Sequence, residues 1–162
     1  VMSDQIMVME QGAMQQLAPP MATYREPANR YVAGFIGVTN FLSGEIVEAG
    51  EGTARVRVAG FTLSGRCLEP GARGAADCAL RAEQVRVAGA DETLGELAVR
   101  LKGEVREAIF EGDRLVYSIR CPGLEDTLIR AFDHDPLHHR AFQPGETVQL
   151  GWNNRDLLIY PR

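Results

Sequence analysis

Ala54-Arg55-Val56-Arg57-Val58, then Ala59-Gly60, then Phe61-Thr62-Leu63 is the stretch that decides the fold. Val56 and Val58 alternate with Arg55 and Arg57, the period of two that gives a strand one apolar and one wet face. Ala59-Gly60 supplies a turn and Phe61-Thr62-Leu63 returns, so the stretch reads as a β-hairpin. Similar signals continue outward in both directions. Leu42, Gly44, Ile46 and Val47 begin a strand before the hairpin, and Glu69-Pro70-Gly71 is a loop leading to a strand from Ala75 to Leu80. A second cluster runs from Leu97 to Val105, Ala108 to Phe110, Leu115 to Arg120 after the turn Glu111-Gly112-Asp113, Thr127 to Arg130, Val148 to Trp152 and Leu157 to Tyr160. About nine short strands in two clusters predict a mainly β barrel or sandwich over residues 39–162. Gly44, Gly103 and Gly151 fall inside strands, where a small barrel needs bulges or sharp bends. Gly44-Glu45-Ile46-Val47 and Gly103-Glu104-Val105 open the two clusters alike and point to an internal duplication.

Residues 1–38 read differently. Ile6 to Glu10 is a short apolar run, Gln11-Gly12 a turn, and Ala13 to Leu17 a returning strand. Pro20 opens a short helix that ends before Pro27. Asn29 caps a second helix with Tyr31, Val32, Phe35 and Ile36 expected on one stripe. This is an α/β tail whose apolar face finds no partner within the segment. Met2, Met7, Met9 and Met14, with Met21 just beyond, are expected to pack in a core. Val1-Met2-Ser3-Asp4 has neither an initiator methionine nor the pattern of a signal peptide, and reads as a cut end inside a longer chain.

The chain has 162 residues, 17 basic and 22 acidic side chains and a formal net charge of −5. Its hydrophobic fraction of 45% is enough for a packed core and excludes a disordered chain. Acidic balance, with no basic run, argues against nucleic acid as a partner. No run approaches the ~18 apolar residues of a membrane-spanning helix. Cys67, Cys78 and Cys121 are odd in number, widely spaced and without Cys-x-x-Cys, so they read as buried, inert thiols in a reducing compartment.

The chemistry that the sequence excludes is informative. A P-loop needs a lysine followed by Ser or Thr, and the sole lysine, Lys102, precedes Gly103. There is no Gly-x-Ser-x-Gly, His-Glu-x-x-His or Gly-x-Gly-x-x-Gly motif, so catalysis and resident cofactor or metal binding are not expected within this segment. Asp133-His134-Asp135-Pro136-Leu137-His138-His139 offers imidazoles and carboxylates, but Asp135-Pro136 fits a helix cap in an exposed connection better than a metal site. Glu125-Asp126 and Asp91-Glu92 read as solvated loop charges, and Trp152 as core.

The run Ser3-Asp4-Gln5-Ile6-Met7-Val8-Met9-Glu10-Gln11-Gly12, with Gln16, Pro20, Tyr24, Pro27 to Gly37 and Asn40-Phe41-Leu42, closely resembles ATP-binding subunits of bacterial ABC importers just downstream of their switch histidine. Leu80-Arg81-Ala82-Glu83-Gln84-Val85 and Pro144 to Trp152 are similar to the C-terminal TOBE region of the polyamine, iron and 2-aminoethylphosphonate importer type. Gln5 and Ala82 depart from the arginine and proline usual there. Leu42-Ser43-Gly44-Glu45 and Leu63-Ser64-Gly65-Arg66 lack the second glycine and the glutamine of the ABC signature and lie in β-patterned segments.

The resemblance implies OB-like TOBE barrel subdomains over 39–162, after a remnant of the nucleotide-binding domain over 1–38. It implies a regulatory and dimerisation region with Asn40, Phe41, Arg81 and Glu83 as regulatory or interface residues. It further implies a homodimer, a parent that uses ATP and Mg and joins transmembrane permease subunits, and a place on the cytoplasmic face of the membrane. The alternative is a sensor of small ligands or oxyanions, since related TOBE and molybdate-binding domains carry a segment like Thr39 to Ile46.

Overall fold

The computed structural model describes residues 3–162 and divides into two compact units, one ending at Thr39 and the other beginning at Asn40. In the first, β1 (Ile6–Glu10) and β2 (Ala13–Ala18) form an antiparallel hairpin. Gln11 and Gly12, at φ 47° and 82°, make its turn, the left-handed pair that matches the twist of a two-residue hairpin. Pro19-Pro20 ends β2 and starts α1 (Pro20–Arg25); α2 (Arg30–Phe35) follows, with the Asn29 side chain accepting from Val32 N. Gln16 ties the connection down, accepting from Ala28 N at 2.8 Å and donating to the Glu26 carbonyl at 3.1 Å.

Among the described residues of this unit, Val8, Thr23, Pro27, Val32, Ala33 and Thr39 are buried. The expected stripe is therefore misplaced: Phe35 is exposed and stacks on Tyr31 at 5.9 Å. A helix of six residues can bury only one turn's worth of side chains, and Val32 and Ala33 take that place. Met7, Met9, Met14 and Met21 are not core either, and Met2 lies outside the described residues. All four stand about half exposed, beside Leu17.

The second unit is all β apart from single 3-10 turns. β3 (Thr39–Ala49), β4 (Thr53–Val58), β5 (Phe61–Arg66) and β6 (Gly74–Arg81) build one barrel, and β8 (Val99–Phe110), β9 (Leu115–Cys121), β10 (Thr127–Asp133) and β11 (Thr147–Trp152) build a second curved sheet. The last strand of each set crosses over. β12 (Leu157–Pro161) closes the first barrel in the order β12-β5-β4-β3-β6, while β7 (Arg86–Gly89) joins the second sheet in the order β10-β9-β8-β11-β7. Grouping strands by sequence placed the final strand with the second cluster and passed over β7; the structure exchanges them. Ala108 to Phe110 is the continuation of β8 past a bulge, not a separate strand.

Pairing registers establish the duplication. Ile159 faces Cys78 and Tyr160 faces Asp77; correspondingly Val87 faces Leu150 and Ala88 faces Gln149. Glu45 faces Arg57 and Glu104 faces Arg120, each ion-paired at 3.3 Å. A bulge follows in both, between Ile46 and Glu48 and between Val105 and Glu107. The glycine before each glutamate is required by close approach. A Cβ on Gly44 would lie 2.7 Å from the Arg57 carbonyl oxygen, and one on Gly103 would lie 3.0 Å from that of Arg120.

Because each half contributes its last strand to the other, one continuous core runs through both, from Val56, Cys78 and Leu80 to Ile119, Leu150 and the fully buried Trp152. Burial of such a core supplies the main driving force for folding. All three cysteines are buried and free.

Candidate small-ligand cleft at an open barrel seam

In the first barrel, Leu158 of β12 bridges Arg66 of β5 in parallel and completes the closure. The matching residues of the second half, Arg86 of β7 and Phe132 of β10, are not bridged, and the sheet stays open there. Both line a cleft of about 390 Å3. Two connections wall it: residues 90–98, which bring Glu92 and Leu94, and residues 134–146, which bring Arg140 and Phe142. The counterpart of the latter in the first half, residues 67–73, is much shorter. The cleft thus follows from one missing strand contact and one longer loop.

Its floor is aromatic. Tyr117 is almost fully buried, its hydroxyl accepts from Phe142 N at 3.2 Å, and the two rings lie 5.7 Å apart. Burial pushes the Tyr117 phenol up, against the opposing hydrogen bond from Phe142. Phe132 carries the Arg114 guanidinium 4.0 Å from its centroid, a cation–π contact, with His134 edge-on at 5.8 Å.

The charged rim is also fixed. Glu92 accepts from Gly89 N at 2.8 Å, and Gln149 Nε2 donates to the carbonyls of Gly89, Ala90 and Glu92. Asp91-Glu92 is therefore more than loop solvation, because Glu92 orders the turn on which it sits. Arg140 pairs with Glu146 at 2.7 Å, a contact that holds the Glu146 carboxyl below and the Arg140 guanidinium above their ordinary values. Glu83 and Asp133 complete the rim.

The four residues named from the sequence separate. Asn40 is buried and clamps β10: its Nδ2 donates to the Arg130 carbonyl at 2.9 Å and its Oδ1 accepts from Arg130 N at 2.8 Å. The turn Ala82–Gln84 packs on the same strand, so Asn40 and Glu83 meet it from one side, and Glu83 reaches the cleft. Arg81 is buried away from the cleft lining; desolvation lowers its pKa, with the nearby Tyr160 opposing. Phe41 is half-buried and does not line the cleft either.

Asp135-Pro136 starts no helix. A single turn forms, with His138 N donating to the Asp135 carbonyl at 3.1 Å, and the segment lacks an apolar stripe that would hold a second turn. His138 Nδ1 contacts the Asp135 carboxylate, and that hydrogen bond raises the imidazole pKa. Among the described residues no group of three or more His, Cys, Asp or Glu is gathered in a metal-binding arrangement. Tyr117 and Phe132 escaped the sequence reading because aromatics in β-patterned segments look alike whether they face a core or a cleft, and Phe142 because it lies in the irregular connection 134–146.

The fold and the open seam define a TOBE-type double barrel. The model of the TOBE domain family matches residues 78–159, and the chain belongs to that family. It further corresponds to the C-terminal part of ABC importer ATP-binding subunits. It is 36% identical to the spermidine/putrescine import ATP-binding protein PotA of Rubrobacter xylanophilus over 98% of this chain and 41% of that protein. It is 31% identical to the PotA of Thermobifida fusca over 99% of this chain and 41% of that one. The Fe(3+) ions import ATP-binding protein FbpC 1 of Rhizobium meliloti is 28% identical over 97% and 41%. The chain thus spans about two fifths of the length of these relatives. Among solved structures, the cytoplasmic molybdate-binding protein ModG has the same fold, with a TM-score of 0.60 at 15% identity over 76% of this chain and 96% of that one.

Proposed function

We propose that the chain is the regulatory and dimerisation region of the ATP-binding subunit of an importer, in which ATP hydrolysis with Mg drives solute uptake through permease subunits. The observation that carries this reading is the similarity to PotA along nearly the whole chain. Residues 1–38 then belong to the end of the nucleotide-binding domain, and the half-exposed Met7, Met9, Met14 and Met21 form the face on which the remainder of that domain packs. A polyamine, iron or phosphonate compound is the solute class to which such relatives point, and the assembly works at the cytoplasmic face of the membrane. The double barrel joins two copies about a two-fold axis, because a contact remote from the nucleotide persists while the catalytic interface opens and closes.

The experiment is to read the coding sequence upstream of Val1 and to measure the mass of this chain by light scattering. A P-loop, a signature helix and a switch histidine upstream, with a dimer at micromolar concentration, are the expected results. An upstream region without a P-loop would overturn the assignment, and a monomer throughout would overturn the dimerisation role.

A second reading, sensing of a small ligand or oxyanion, is favoured by one observation, the cleft at the open seam. Pockets of this size with a few converging polar groups are the usual form of small-ligand sites.

A further inference from the structure

We infer that two copies of this chain join through β8, with the projecting tip of the β8–β9 hairpin in one copy seated at the base of β8 in the other; this rests on the reading that the region dimerises. The duplication isolates what is special about this hairpin. The first hairpin ends at the pair Ala49 and Ala54, whereas its counterpart, Ala108 and Tyr117, is followed by two more pairs, Ile109 with Val116 and Phe110 with Leu115. The strand glutamate and its arginine are accordingly 12 residues apart in the first half and 16 in the second. Ile109 and Phe110 are 46% and 60% exposed. The added pairs therefore carry apolar surface outward on an arm that the first half lacks.

The same comparison finds uncompensated charge at both ends of β8. Glu48 is ion-paired with Arg55 across the first hairpin at 3.3 Å; the matching residues of the second are Glu107 and Ser118, so Glu107 has lost its arginine. At the other end Lys102 stands where the first half has Ser43, with Arg100 two residues before it on the same face of the strand. Among the described residues no ion pair forms at Arg100, Lys102, Glu107 or Asp113. Beside Lys102 a cleft of about 270 Å3 opens between Phe61 and Pro122-Gly123.

A two-fold axis across the middle of β8 sets the two strands antiparallel and brings each acidic, apolar tip onto a basic cleft. That is the self-complementary contact a two-fold dimer requires. Glu107 of one copy then faces Lys102 of the other, Asp113 approaches Arg100, and Ile109 and Phe110 cover the cleft at Phe61 and Pro122. Opposite charges fix the register, and the apolar residues lose their contact with water. Glu104, nearest the axis, is held by Arg106 at 3.1 Å and Arg120 at 3.3 Å, so no bare carboxylates meet there.

The test is sedimentation velocity of the 162-residue chain and its variants across micromolar concentrations. Phe110→Ser is expected to weaken the dimer by about tenfold or more, as loss of an apolar anchor does. Lys102→Glu and Glu107→Lys should each weaken it by about tenfold, because both contacts of the symmetric pair then oppose like charges. An equimolar mixture of these two variants should recover the dimer, since the mixed pair restores attraction at both ends. Circular dichroism and urea midpoints of the monomers should be unchanged, because all three side chains are exposed. A wild-type dimer that all three variants leave intact overturns this interface and keeps dimerisation, through another face. A wild-type monomer at every concentration overturns both. Weakening by the two charge variants without recovery in their mixture also overturns the inference, because the charges then do not act as a pair.

Discussion

Asn40 takes both backbone hydrogen bonds of Arg130, doing with one side chain what a neighbouring strand does for an edge residue. β10 is the open edge of the second barrel and carries Phe132 and Asp133 at the cleft, so this clamp holds the wall of the site in place. In the duplicated half, Ser64 sits at the position of Arg130, within a barrel that β12 closes by main-chain pairing. The amide therefore replaces part of a missing strand.

Asn40→Ala removes two part-buried hydrogen bonds to the Arg130 main chain. A cost of about 2 kcal/mol is expected in chemical denaturation, from the penalty of leaving such groups unmet. Amide exchange at Arg130 and its neighbours should accelerate more than at β8. Unchanged exchange along β10 would show that the strand does not depend on the clamp.

Gly44→Ala and Gly103→Ala should both destabilise, by about 1–3 kcal/mol each, since overpacking shifts backbone or forces rotamers. The new Cβ at residue 103 would lie 2.4 Å from Ile119 Cγ2, and the one at 44 would lie 2.7 Å from Val56 Cγ2. Gly60→Ala, which meets nothing within 4 Å, is the control and should be close to neutral. Equal effects at all three positions would contradict the close-approach argument.

The thiols should be inert in the native state. Burial pushes the Cys78 and Cys121 thiols from 9.0 up to about 12, and the Tyr160 phenol from 10.0 to about 12. In each case the neutral form is favoured in the folded chain, so the folded state binds more protons between the two values. Stability from these groups is complete below about pH 9 and declines as pH rises from there towards 12. Denaturation midpoints measured from pH 7 to 11 should fall only at the alkaline end. Thiol titration should find no reactive cysteine until the protein unfolds.

The twin ion pairs should matter little. Glu45–Arg57 is exposed on both sides, and Glu104–Arg120 is about one-third exposed. Glu45→Gln is expected to cost under about 1 kcal/mol. Glu104→Gln should cost more, because Glu104 also meets Arg106 and Arg120 also meets Asp126. Half-molar salt should narrow the gap between the two variants, as monitored by urea midpoints, and a gap that grows with salt would refute the electrostatic account.

Local order was legible in the chain. Alternation at Arg55 to Val58, proline at the start of α1, Asn29 at the cap of α2 and the strand glycines each act over a few residues, and each appears where the sequence placed it. The buried cysteines and Trp152 were equally plain from composition and pattern. The Gly-Glu repeat even marked the duplication, because a close cross-strand approach demands glycine at both copies. What tertiary structure alone decided is which strand completes which barrel. β7 and β12 are both short, and nothing in a four- or five-residue strand says whether it pairs with its own half or the other. That exchange, together with the longer connection at 134–146, leaves one seam shut by main-chain pairing and the other open. Nor does the chain mark which aromatics face the opening, since a side chain on a barrel's inner face is core or cleft according to whether the sheet closes over it.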